Sequence, residues 1–270
     1  RKGFEYCTGC GKLPVQKEKY HLMKNIILTV SVLAVLTGIC GTLYAQQHKD
    51  SLYTYYSAAE LGIGGRIESD SAYEHPYDRF PMYMKDRVRK AVWDLAKNTA
   101  GVSIRFAANS SSIKLKWKVL NDLKMNHMAE TGIKGIDIYY HDAAGKWIYL
   151  NTARPKGIES EYVVLKNTAS VMREYKLYLP LYDGGTELYI GVTHDAVLER
   201  RDAEMEKPIV FYGTSITQGG CASRPGMAYP AIIERESGVP VVNLGFSGNG
   251  RMEEPVAEFM AGCDASLYVI

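Results

Sequence analysis

A serine placed where a buried strand breaks into a glycine-lined turn is well placed to act as a nucleophile, and Ser215 occupies such a place. The apolar run Pro208-Ile209-Val210-Phe211-Tyr212 leads directly into Gly213-Thr214-Ser215-Ile216-Thr217-Gln218-Gly219-Gly220. Apolar strands of α/β sheets are sequestered, and ligands bind in the crevice outside their carboxyl ends. Side chains just past Tyr212 are therefore expected to border a crevice. A second glycine-rich loop, Gly245-Phe246-Ser247-Gly248-Asn249-Gly250, follows the strand-like run from Val239 to Leu244. Taken singly, these residues have ordinary uses: serine caps helices and turns, and glycine accepts positive φ. Thr214, Thr217, Gln218 and Asn249 fit turn chemistry in the same way. Glu253 and Glu254 do not form a glycosidase pair, because neighbours on a helix diverge by about 100° and first-turn acids answer the helix dipole.

The elements around these loops read as the start of an α/β unit. After the strand ending at Tyr212, a helix is expected from Ala228 to Ser237 with Gly238 as its stop, then the Val239 to Leu244 strand. A second helix from about Met252 to Met260 and a strand from Ala265 to Ile270 complete a β-α-β-α-β order. A three-stranded parallel sheet of about 65 residues leaves an edge and much apolar surface uncovered, so a chain truncated within this unit is expected.

Upstream, from about Tyr53 to Val192, short β-type runs alternate with turn residues, and the segment Val88 to Lys97 is the last of helical character. An antiparallel, jelly-roll-like β-sandwich fits this pattern. Val102 to Phe106 and Ile113 to Val119 place apolar residues at every second position, with Asn109-Ser110-Ser111-Ser112 between them as a first hairpin turn. Gly135 to Tyr140, Asp142 to Gly145 and Lys146 to Leu150 read as a second hairpin. Tyr175 to Leu181, Asp183-Gly184-Gly185 and Thr186 to Val192 read as a third. The charged run Glu199 to Glu204 reads as a linker, which puts a boundary near residue 205, between a sandwich at 50–200 and an α/β unit at 206–270.

Composition sets the outer limits. The 270 residues, 46% hydrophobic and 23% charged, describe an ordinary globular chain. A net charge of +2, with both signs well mixed, argues against nucleic acid or an anionic membrane as partner. At the amino end, Met23-Lys24-Asn25 precedes the apolar run Ile26 to Leu36 and then Ala45-Gln46-Gln47, the pattern of a signal peptide over 23–45. The apolar core is shorter than the roughly 20 residues of a span, so export with cleavage is expected rather than a retained anchor from Ile26 to Tyr44. The bulky Ile39 argues against lipid attachment at Cys40. Residues 1–22 then form an upstream extension, and Cys7-Thr8-Gly9-Cys10, with at most His21 added, falls short of four zinc ligands. Cleavage would leave Cys221 and Cys263, whose pairing is left open. The twenty tyrosines could stack on sugars, but packing within strands is their commoner use.

Gly213-Thr214-Ser215-Ile216-Thr217 after a hydrophobic strand resembles the first block of the GDSL, or SGNH, hydrolase family. Asn243-Leu244-Gly245-Phe246-Ser247-Gly248-Asn249 resembles its second block, at a spacing of 33 residues from Ser215 to Gly248. Arg79-Phe80-Pro81, Val92-Trp93-Asp94-Leu95 and the run Ala100 to Phe106 resemble the sandwich domain that precedes the hydrolase domain in some secreted bacterial members acting on carbohydrate esters. The resemblance implies a flavodoxin-like hydrolase domain in which Ser215 is the nucleophile and its own amide and that of Gly248 donate to an oxyanion. Such donors must be preorganised about 3 Å from the tetrahedral oxygen, and glycine lets the main chain come that close. It also implies an asparagine after the third strand and an Asp-x-x-His near the domain's end, both beyond Ile270. His75, His127, His141 and His194 all lie in or beside the sandwich, so this chain alone is expected to be inactive. His194, next to Asp195, would be the least unsuited of the four. The expectation is a secreted serine esterase for small acyl esters, acetyl groups on carbohydrate foremost, with no metal or organic cofactor. The competing reading is a carbohydrate-binding or cell-surface protein with a vestigial hydrolase part.

Overall fold

The computed structural model describes residues 52–68, 72–202 and 206–270. The expected signal segment 23–45 and the expected extension 1–22, with Cys7, Cys10 and Cys40, lie outside the described residues. Gln46–Ile270 forms one compact unit.

Two antiparallel sheets make up its first part. One runs in the order β1 (Tyr53–Ser57), β9 (Gly185–Thr193), β4 (Ile113–Val119), β7 (Glu159–Leu165). The other runs β10 (Leu198–Arg200), β3 (Ser103–Ala108), β8 (Arg173–Tyr178), β5 (Ile136–His141), β6 (Trp147–Ala153), with β2 (Gly62–Gly64) also paired to β3. One apolar core joins them: Ile113, Leu115 and Trp117 from β4 and Leu188, Ile190 and Val192 from β9 meet Ile104, Phe106, Ile138 and Leu177 from the second sheet. β4 shows the expected alternation, with every second residue buried. β3 and β5 do not, being covered on nearly every residue. The outer face of their sheet is covered by residues 206–270, so the period-two signal of a half-exposed strand is lost there.

Several local expectations change. The link Asn109–Ser112 does not close a hairpin, because β3 pairs with β8 and β4 pairs with β9, so the link crosses from one sheet to the other. The third expected hairpin fails for the same reason, with β8 and β9 in different sheets. Asp183 is fully buried there, its carboxylate accepting the N–H groups of Asn121, Leu123 and Gly184 at 2.8–2.9 Å. The turn residues thus serve a crossover rather than a two-strand turn. The second hairpin does form, with β5 paired to β6 around Asp142–Gly145. Glu199 and Arg200, read as linker, pair with Ala107 and Phe106 as part of β10. A short helix, α2 (Glu130–Lys134), also interrupts the strands after α1 (Lys90–Ala96).

The carboxyl part is a three-stranded parallel sheet, β12 (Val241–Gly245), β11 (Ile209–Gly213), β13 (Leu267–Val269). Its helices are α3 (Ser215–Gln218), α4 (Tyr229–Ser237), stopped by Gly238 at φ 72°, and α5 (Glu254–Ala261). One face of this sheet is covered by segments that precede and follow its first strand in sequence. Val210, Tyr212, Val242 and Leu244 pack with Phe259 and Met260 of α5 and also with Phe80, Met84, Val92 and Trp93 from upstream. Burying such apolar side chains contributes roughly 1.5–3 kcal/mol each, so the upstream segment is part of the α/β core rather than a tether to it. Among the described residues no helix is long and apolar enough to cross a membrane.

Candidate active site

Ser215 is the first residue of α3, one residue beyond the cap position held by Thr214, and no side-chain hydrogen bond caps that helix. The capping role that would explain this serine blandly is therefore not the one it plays. α3 is a single turn: Gln218 N–H donates to Thr214 O at 3.0 Å and Gly219 N–H to Ser215 O at 3.0 Å, then Gly219 takes φ 113° and the chain turns away. So short a helix leaves Ser215 half-exposed at the carboxyl end of β11.

Gly248 sits at the matching end of β12. The two strands run parallel in the register Gly213↔Gly245, and Phe246 N–H donates to Gly213 O at 2.9 Å, which carries the pairing one step past the strands. A Cβ on Gly245 would lie 2.1 Å from Gln218 N, so the serine turn and the β12 end approach at backbone distance. Gly248 itself is exposed, has φ 67°, and has no atom within 4 Å of where a Cβ would be. Its glycine is required by backbone conformation and leaves space in front of the peptide. The fold thus places the two sequence-singled residues on adjacent loops at the carboxyl end of one sheet.

A set of buried polar side chains holds those loops. Gln218, fully buried, accepts Ser247 N–H at 2.9 Å through Oε1 and donates through Nε2 to Leu181 O at 3.0 Å. Asn243 Nδ2 donates to Thr217 O at 2.8 Å while its Oδ1 accepts Gly245 N–H at 2.9 Å. Tyr182 Oη donates to Ser215 O at 3.2 Å, and burial pushes this phenol above its ordinary range. Asn249 accepts from Arg89 at 2.9 Å, and Glu253 is paired with the same arginine, while Glu254 is exposed.

Leu181 and Tyr182 belong to the crossover between β8 and β9, so the antiparallel part of the chain reaches the serine turn directly. Sequence reading missed this contact. It also missed the ties further from the turn, where Asp137 of β5, fully buried, accepts Arg224 Nη1 at 2.7 Å, Gly226 N–H at 2.8 Å and Thr152 Oγ1 at 2.6 Å. Burial alone would lower the Arg224 guanidinium, but hydrogen bonds to Tyr139 and Asp137 hold it above its usual value. Nearby, Tyr178 Oη donates to Glu234 of α4 at 2.6 Å. The only available sequence signal was a polar residue inside an apolar strand, Asp137 between Ile136 and Ile138.

The histidines are elsewhere. His194 bonds Thr54 Oγ1 at 3.0 Å, His127 bonds Asn126, His141 lies against Trp147 at 4.9 Å between rings, and the backbone N–H of His75 donates to Asp78. Among the described residues none bonds the Ser215 turn. Cys221 is exposed and Cys263 half-buried, both as free thiols.

Comparison with known proteins bears on both parts. The N-terminus of the SGNH-hydrolase type of esterase, named GxDLY, matches residues 53–198, more than half of the chain. Gly135-Ile136-Asp137-Ile138-Tyr139 fits the letters of that name with isoleucine in the leucine place. The GDSL-like lipase/acylhydrolase family matches residues 206–270. A crystal structure of a GDSL-like lipase from Bacteroides ovatus ATCC 8483 is 38% identical at a TM-score of 0.76, over 80% of this chain and 63% of that one. The salicylyl-acyltransferase SsfX3 of a tetracycline biosynthetic pathway shares the fold at TM-score 0.64 and 17% identity, over 82% of this chain and 62% of that one. The chain therefore spans less than two thirds of either. No curated protein sequence matches it. With a strand-turn serine, a glycine loop on the neighbouring strand and family matches over both parts, the chain belongs to the GDSL-like, SGNH-type hydrolase family of esterases.

Proposed function

We propose that this chain is the amino-terminal part of a secreted serine esterase that removes small acyl groups, acetyl foremost, from carbohydrate. The observation that carries the proposal is the joining of the Ser215 turn to the Gly248 loop, through Phe246 N–H on Gly213 O and Ser247 N–H on Gln218 Oε1. In this reading Ser215 Oγ attacks the ester carbonyl carbon. The carbonyl oxygen becomes an oxyanion that takes hydrogen bonds from the Ser215 and Gly248 amides, and collapse expels the sugar alkoxide, which leaves with the proton taken from the serine. Water then attacks the acyl-serine, releasing the carboxylic acid and restoring Ser215. The base is assigned to the length of the family's chains that this one does not span, since among the described residues none of the four histidines discussed above bonds the Ser215 turn. Carbohydrate as the alcohol and export through residues 23–45 rest on sequence resemblance.

The test uses the full-length protein and a small acetyl ester. Ser215→Ala is expected to cut turnover by at least about a thousandfold, the usual scale for removing a serine nucleophile. Wild-type turnover in that variant would remove Ser215 from the role.

A further inference from the structure

β12 is the edge strand of the parallel sheet, and that edge is capped by a single cation. Phe246 N–H points at β11, so by alternation the carbonyls of Gly245 and Asn243 point to the opposite, unpaired edge. Both are taken by Arg79 Nη1, at 2.7 and 3.1 Å. The same guanidinium donates through Nε to Asn98 O at 2.7 Å and through Nη2 to Leu95 O at 2.6 Å, and lies 4.8 Å from the centre of the Phe246 ring. Its own N–H donates to Ala96 O at 2.9 Å. Arg79 is 1% exposed, and among the described residues no carboxylate pairs with it. Burial pulls its ionisation down to about 9, so at neutral pH it is a cation solvated by four backbone carbonyls and the face of the Phe246 ring.

A buried guanidinium without a counter-ion is costly and is kept where a planar fork of donors does what no other side chain can. Here the fork fastens the end of α1 to the last carbonyls of β12. Gly245 O fixes the plane of the peptide that leads into Phe246, and Gly248 follows two residues later. We infer that Arg79 is a positioning residue for the esterase site, holding the Gly248 loop in register with Ser215 from the upstream part of the chain. The inference rests on the reading of Gly248 as an oxyanion donor. It makes the antiparallel part and its helix a component of the catalytic geometry rather than a separate module.

Arg79→Lys keeps the charge but supplies a point donor in place of the fork. In the full-length enzyme, with a small acetyl ester, we expect kcat to fall by about 10- to 100-fold, the scale of a misplaced oxyanion donor, with KM within twofold. Inhibition by a boronic acid, whose tetrahedral adduct with Ser215 places an oxygen at the oxyanion position, should weaken by a similar factor. Should the lysine variant fail to fold, Phe246→Leu removes the ring beside the guanidinium while keeping the site apolar, and should show a smaller effect of the same kind. A folded variant with wild-type kcat and wild-type boronate affinity overturns the inference, as does a loss confined to KM. Ser215→Ala, run alongside, separates the failures: if it retains activity, the esterase reading falls, and if it is inactive while Arg79→Lys is normal, only the positioning role falls.

Discussion

Replacing Asp137 by alanine tests whether the antiparallel part and residues 206–270 are held as one unit by a buried charge. Three donors meet on this fully buried carboxylate: Arg224 Nη1 at 2.7 Å, Gly226 N–H at 2.8 Å and Thr152 Oγ1 at 2.6 Å. Hydrogen bonds to a charged group contribute a net of about 1.5–3 kcal/mol each, which would set a ceiling of about 5–9 kcal/mol. The three are not lost equally. The Arg224 side chain is 23% exposed and keeps the Tyr139 hydroxyl, so its share falls toward about 1 kcal/mol. Thr152 keeps the Tyr149 hydroxyl at 2.9 Å. Gly226 N–H is buried and has no substitute, which costs about 1–3 kcal/mol. The expected loss for Asp137→Ala is about 3–4 kcal/mol, or about 10 °C in Tm for a unit of this size. Asp137→Asn keeps the shape and one acceptor oxygen, and turns its amide toward a threonine hydroxyl that can accept, so it should lose only about 1–2 kcal/mol. Urea unfolding followed by circular dichroism gives both values. A loss under about 1 kcal/mol for alanine, or equal losses for the two variants, would refute the assignment of this carboxylate as a charged tie.

Other substitutions probe the loops. Gly248→Ala meets no atom but forces a side chain to φ 67°, so it should cost about 1–2 kcal/mol in urea unfolding while lowering acetyl-ester turnover in the full-length enzyme. Gly245→Ala puts a Cβ 2.1 Å from a backbone nitrogen that no rotamer can relieve, so loss of soluble protein or a drop of more than about 3 kcal/mol is expected; a wild-type Tm would contradict the close approach. Gln218→Leu strips partners from Leu181 O and Ser247 N–H, for about 2–4 kcal/mol by the same measurement. Tyr178→Phe removes a 2.6 Å bond to Glu234 but leaves Lys176 at 3.5 Å, so about 1–2 kcal/mol should be lost.

The amino-acid sequence alone determined the local features. Strand β4 was legible because one of its faces is inside and the other outside, α4 because Gly238 ends it, and the Ser215 turn and Gly248 loop because glycines at those positions answer local backbone demands. The partners of those segments were legible only in three dimensions. Asn109–Ser112 and Asp183–Gly185 have the residues of hairpin turns, yet both cross between sheets, since a turn residue fixes the bend of the chain and not the strand that lies on the far side of it. The ties of Asp137 to Arg224 and Gly226 and the reach of Arg79 to the carbonyls of β12 depend on contacts 87 to 166 residues away in sequence. No local pattern encodes such a contact, because its energy comes from excluding water between surfaces that meet only once the chain has folded.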